Sequence, residues 1–400
     1  MTLSSTKTGP ADGTRAPRPL VPVLTGGMGL SMLALYATGA LGPFIVADLG
    51  ISRSALGLLP AAAFAVATAA SLYAGHLTDL LGGRRAFLAL VALLAAVFAL
   101  LAASHTYPLL LAALALAGLP QALANPSTNR LIAAHVPASR RAEAVGVKQS
   151  GIPIATLLTG LVLPPLAEAL SWRAAVALVI PVMPAMALLA LRVLPRDPAP
   201  TGPLRFGLPH PPNAATRWLM AYSLFFGCGL APLSTYLPLY AHQHLGMGET
   251  QSGALISAIG AAGIATRVMW TRFSDRLTDT PVPLLGLAVT ALACTALIPA
   301  ATHGGWLVWV GALGVGGCGA AATAVSMVAV THGSGYGQTG HASALVSMGF
   351  FGGFVVGPVT FGLLADGPLG FGGAWTFAGT AFALALTCAW VGRRTLRAAI

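Results

Sequence analysis

Lys148 is the side chain best placed to do chemistry in this sequence. It stands in Gly146-Val147-Lys148-Gln149-Ser150-Gly151, a polar patch inside the otherwise apolar run 142–168. Six residues into a helix is about 9 Å of depth at about 1.5 Å per residue. A charge buried in lipid costs about 2.5–3.5 kcal/mol on insertion scales, so each such residue is a candidate for ligand contact. Arg267, eight residues before Asp275, is a second cation within an apolar run. Lysine supplies a point charge and arginine a planar fork, both suited to a carboxylate or phosphate. The competing reading is that both long stems carry their charge out to the surface. Neutral groups able to hydrogen-bond a ligand lie nearby in composition: Tyr36, Gln121, Asn125 beside Pro126, and Tyr236, with Asn129, Tyr222 and Ser326 behind them. Interhelical hydrogen bonding is the alternative use for each.

The elements that must hold these groups are membrane helices. The chain is 56% hydrophobic and 8% charged, with mean hydropathy +0.80, against about a quarter charged in soluble domains. Twelve runs are long enough to span, since about 20 apolar residues cross a bilayer. A β-barrel requires strands of about 10 residues with alternating polarity, and stretches such as Leu88–Ala103 do not alternate. The expected fold is therefore an all-α membrane protein of twelve transmembrane helices. A segment with seven prolines, 195–216, divides it into bundles 21–194 and 217–391, with tails at 1–20 and 392–400. The first tail reads as disordered.

The net charge of +11 is an orientation signal. Of the 21 Lys and Arg, only Arg53 and Arg173 fall on the other side; the rest, apart from Lys148, lie in the tails, in even-numbered loops or, like Arg267, toward the span ends that adjoin those loops. This places both termini in the cytoplasm of a cell (inner) membrane. No nucleic-acid partner is implied. The four cysteines lie far apart within spans and read as small packing residues. His242-x-His244 near Glu249 is a chance-level metal pattern, and neither a metal nor a cofactor is expected. No nucleophile–base set or phosphate-cradling loop is present, so enzymatic activity is not expected.

Three motifs give the chain a family resemblance. Gly75-His76-Leu77-Thr78-Asp79-Leu80-Leu81-Gly82-Gly83-Arg84-Arg85 is similar to the loop between the second and third helices of the major facilitator superfamily. Leu80 and Gly83 depart from its usual basic residues. Arg267 through Arg276, with Asp275, resembles the degenerate second-half copy of that loop. Gly353-x-x-x-Gly357-Pro358-x-x-x-Gly362 resembles a glycine–proline motif, here on the eleventh span.

The resemblance implies a bacterial-type twelve-helix transporter, monomeric, in which two bundles rock about a central small-molecule site. It implies that Asp79 holds one side shut by facing the N-terminus of the eleventh helix near Gly340–Ala342, with Arg84 and Arg85 as clamps. It also sets the fifth and eighth spans face to face, so that Lys148 and Arg267 can clamp one anion, with Gln149, Asn125, Gln121, Tyr36 and Tyr236 around it. None of the ten acids falls at mid-membrane, which disfavours a carrier of cations. Leu114–Gly118 lacks the arginine of many proton-coupled relatives. A small organic anion or metabolite is the first expectation for the substrate. A neutral or amphipathic compound in a greasy cavity is the second.

Overall fold

The computed structural model describes residues 19–196, 213–273, 281–332 and 339–397, and among them no strand occurs. The linker expected at 195–216 and the first tail therefore lie mostly outside the described residues, as do Asp275, Arg276 and the side chain of Arg267, whereas the last helix continues to Arg397, into the stretch expected as the second tail.

The first bundle contains α1 (Leu20–Ala40), α2 (Gly42–Leu49), α3 (Arg53–Leu81), α4 (Gly83–Ala102), α5 (Tyr107–His135), α6 (Arg141–Gln149), α7 (Gly151–Ala169), α8 (Trp172–Ala177) and α9 (Val182–Val193). The second contains α10 (Ala214–Leu245), α11 (Glu249–Phe273), α12 (Pro281–Ala300), α13 (Leu307–His332), α14 (Thr339–Asp366) and α15 (Gly370–Arg397). Among the described residues, eleven stretches are long and apolar enough to cross a membrane. The eighth expected span, α11, is not among them, and several of its side chains from residue 267 onward lie outside the described residues. It nonetheless packs against α7 and α13 as a full member of the bundle. Exposed leucines such as Leu161, Leu188 and Leu363 line the outside, an apolar surface suited to lipid rather than water.

Three expected spans are interrupted. The first breaks at Leu41, with Pro43 in the first turn of α2. The fifth breaks at Ser150, three residues before Pro153, and the sixth at Leu178–Pro181. Proline lacks the N–H that would continue the ladder. Capping sharpens other ends: the Ser52 hydroxyl accepts from Ala55 N–H, and Asn213 accepts from Thr216 N–H at 2.8 Å. Gly82, at φ 85°, makes the turn from α3 into α4, a conformation that side chains with a Cβ rarely adopt. That is the physical requirement behind this glycine of the loop motif. By contrast, a Cβ on Gly75 would meet nothing.

Within the bundles, α3 packs on α5, α1 on α7, α10 on α14 and α15, and α11 on α13. Small residues set these distances. A Cβ on Gly118 would lie 2.3 Å from the Ala63 carbonyl oxygen, and one on Gly353 the same distance from that of Leu224. Gly357 meets the Cys228 carbonyl at 2.5 Å. The glycine–proline motif of α14 is thus a close-packing seam against α10.

An ion pair beyond the first span ties three connections together. Arg173 Nη2 lies 2.7 Å from Asp48, its Nε donates to the Ser104 carbonyl at 2.7 Å, and Trp172 Nε1 donates to Asp48 at 3.2 Å. The guanidinium holds the Asp48 carboxyl below its ordinary range, despite an opposing contribution from burial. A carboxyl with a lowered folded pKa stabilises fully above its unfolded pKa of about 3.9, and that stability is lost as the pH falls through the folded value. Asp48→Asn should therefore lower thermal stability at pH 7, by about 1 kcal/mol or less for so exposed a pair. The gap from wild type should close below about pH 4. Melting curves at the two pH values check this, and a gap that is the same at both refutes it.

Candidate functional site

Where the two bundles meet, a cavity of about 810 Å³ opens between α1, α3, α5, α6, α7, α10, α11, α13 and α14, with Pro283 of α12 at its edge. Its apolar wall includes Met28, Met32, Phe64, Leu230, Phe350, Phe351 and Phe354. Phe64 stands edge-on to Phe354, with centroids 4.7 Å apart, so α3 and α14 share one aromatic lining. Four wall hydroxyls are already used: Thr156, Ser234, Thr235 and Thr323 donate to carbonyls of their own helices. Among the described lining residues, Arg141 at the mouth is the sole charged side chain, and it donates to the Val136 and Ala133 carbonyls.

The lining reaches the exposed Arg141 and Gly146 of α6, which mark its mouth. The opposite end is closed by contacts between bundles. A Cβ on Gly39 would lie 1.8 Å from the Ser234 carbonyl oxygen, so α1 and α10 touch backbone to backbone. Tyr236 is fully buried, and its hydroxyl faces the Arg53 carbonyl at 2.7 Å and that of Pro358 at 2.9 Å. The Asp366 carboxylate, at the end of α14, accepts from the Arg53 and Ser54 backbone N–H groups at 3.1 and 2.8 Å. It thereby caps α3 from the other bundle, where the exposed amides of a helix start favour negative charge. Arg53 adds bonds to the Ala365 carbonyl and to Gln243, and Thr250 pairs with Glu168 between α11 and α7.

Several expected site residues sit elsewhere. Lys148 is fully buried and does not line the cavity; its Nζ donates to Asn125 Oδ1 at 3.1 Å, Thr128 Oγ1 at 3.1 Å and Asn129 Oδ1 at 2.6 Å. An ammonium has three donors, and all three are consumed, so the lysine neither snorkels nor reaches a ligand in this conformation. Tyr236 belongs to the closed end rather than to the wall. Gln121 is buried behind the wall, with Nε2 3.3 Å from Met32 Sδ. Tyr36, Asn125 and Gln149 do line the cavity.

At the opposite face, Asp79 is paired with Arg130 of its own bundle and is more than half exposed. The expected apposition of Asp79 on Gly340–Ala342 falls largely on side chains outside the described residues. Arg84 donates to the Leu191 carbonyl at 2.5 Å, linking α4 to α9, and Arg85 is exposed. Gly357 and Pro358 serve the seam with α10 and the closed end. Sequence reasoning passed over Asp366, Arg53 and Arg130. The signal for Asp366 was available: α3 and α14 are antiparallel neighbours, and each carries an aspartate near its C-terminus.

A family model described as Major Facilitator Superfamily matches residues 24–337. The chain belongs to this superfamily. No curated relative matches the sequence. Among solved structures, the chain is similar to a mutant of the nucleoside transporter NupG, with TM-score 0.73 and 13% identity over 93% of this chain and 98% of that one. It is also similar to a bacterial homologue of the human lysosomal transporter Spinster in an inward-facing, unoccupied conformation. There the TM-score is 0.69 and the identity 16%, over 97% of this chain and 98% of that one. The occupied inward-facing form of that homologue gives TM-score 0.69 and 14% identity, over 96% and 98% of the two chains. At these identities the likeness is one of fold. Membership of the superfamily, shown by the family model, makes this a membrane transporter.

Proposed function

We propose that this major facilitator carries a neutral or amphipathic small molecule by alternating access, with the open face cytoplasmic and both termini on that side. What supports the reading is the cavity wall: methionine and phenylalanine side chains, Thr156, Ser234, Thr235 and Thr323 hydroxyls bonded within their own helices, and, among the described residues, one cation, Arg141, at the mouth. Pockets of about 300–1,000 Å³ with few polar groups suit compact organic ligands. A cationic ligand would find no acid among the described wall residues. The organic-anion reading relied on Lys148, whose donors are used by Asn125, Thr128 and Asn129, and on Arg267, whose side chain lies outside the described residues.

Asp366 on α3 and Asp79 toward α14 form a complementary pair of locks in this proposal, one engaged in each conformation. The present conformation holds the Asp366 lock, and Arg130 holds Asp79 in the meantime. A ligand that binds the folded state raises its apparent stability. Purified protein should therefore be stabilised by methyl 2-naphthoate and naphthalene-2-methanol more than by 2-naphthoate or 2-naphthylmethylammonium. Stabilisation by 2-naphthoate alone would overturn the proposal in favour of the anion.

A further inference from the structure

Hydrogen-bond direction around Lys148 fixes what the cavity wall offers a ligand. The ammonium can only donate, so the atom of Asn125 facing it, 3.1 Å away, must be the carbonyl oxygen. Thr128 agrees, since its hydroxyl hydrogen goes to the Ala124 carbonyl at 2.5 Å and its lone pair faces Lys148. The same Asn125 oxygen lies 3.0 Å from the Gln149 side-chain amide, and an acceptor there requires the nitrogen of Gln149. Both amides are thus oriented by one buried charge. Asn125 Nδ2 and Gln149 Oε1 remain, on two side chains that line the cavity. Among the described residues neither atom has a hydrogen-bond partner.

We propose that Asn125 and Gln149 form a specificity dyad for a ligand edge carrying an acceptor and a donor side by side. Nδ2 of Asn125 donates to the acceptor, and Oε1 of Gln149 accepts from the donor. A primary carboxamide or a lactam presents C=O and N–H on one edge in this way. An ordinary secondary amide, trans by preference, points them in opposite directions and cannot. Lys148 is a positioning residue, holding Asn125 in the orientation that keeps its amide nitrogen toward the ligand. The inference rests on the neutral-compound reading above and adds the polar group that the apolar body must carry.

The matched probes are 2-naphthamide, N-methyl-2-naphthamide and methyl 2-naphthoate, titrated against the full-length protein in lipid nanodiscs. The primary amide should bind about tenfold tighter than either of the others, the scale of one buried hydrogen bond. Gln149→Met should erase that preference while retaining ester binding. Asn125→Asp keeps the oxygen that Lys148 needs and removes the donor, so it should weaken all three probes. Equal binding of the three probes by wild type would overturn the dyad and leave the neutral-compound reading intact. Binding of none of them would overturn both.

Discussion

Gly39→Leu is expected to open the closed end of this transporter. The Cβ of any residue there would lie 1.8 Å from the Ser234 carbonyl oxygen and 3.0 Å from its carbon. Those are backbone atoms, so no rotamer change relieves the clash and α1 must separate from α10. Overpacking of this kind costs about 1–3 kcal/mol, a shift of about 5- to 150-fold in a two-state equilibrium. Under the alternating-access proposal the penalty falls on the present conformation alone, since the two helix ends would part when the other side closes. Asp366→Asn should push the same way more weakly, since a carboxylate at a helix start contributes about 0.3–2 kcal/mol. Spin labels at Leu170 and Leu369, both exposed at this end in opposite bundles, should show a longer distance in Gly39→Leu and an intermediate population in Asp366→Asn. An unchanged distance distribution in Gly39→Leu would refute the assignment of this contact as the closure.

The second large effect concerns Lys148. Three oxygens converge on its ammonium with no carboxylate among them. Truncating the donor strands these acceptors, and an unsatisfied buried polar group costs about 1–3 kcal/mol. Lys148→Met should therefore fold with reduced thermal stability. Lys148→Glu puts a buried anion among oxygens, and an uncompensated buried charge costs about 3–5 kcal/mol. It should fail to yield monodisperse protein, whatever the substrate is. Size-exclusion profiles and melting curves of the two variants check the order. Wild-type behaviour of Lys148→Glu would show that the cluster does not hold this charge. Loss of transport in that variant would consequently say little about the charge of the substrate.

Legibility in the sequence followed the range of the physics involved. Span number and fold class were readable because lipid demands long apolar helices, a demand each segment meets locally. The Asp79 loop was readable as a motif, and Gly82 has a local reason, its positive φ. The interruptions at Leu41 and Ser150 were foreshadowed by Pro43 and Pro153 without being placed, because hydropathy is blind to a one-residue break.

The site itself divided differently. Asn125 and Gln149 were picked out as polar groups in apolar runs, and they do line the cavity. Lys148 was picked out on the same ground, yet it is buried behind them. Depth along a helix follows from residue spacing, but the direction of a side chain follows from which helix packs beside it. Tyr236 illustrates the point: its hydroxyl serves two carbonyls of the closed end, 183 and 122 residues away along the chain. Asp366 looked like one more outer-face acid until α3 was brought against it. The sequence alone determined that this is a helical membrane protein with buried polar groups. Tertiary structure decided which of them face a ligand, which hold the bundles shut and which only orient their neighbours, because those roles depend on contacts between helices distant in the chain.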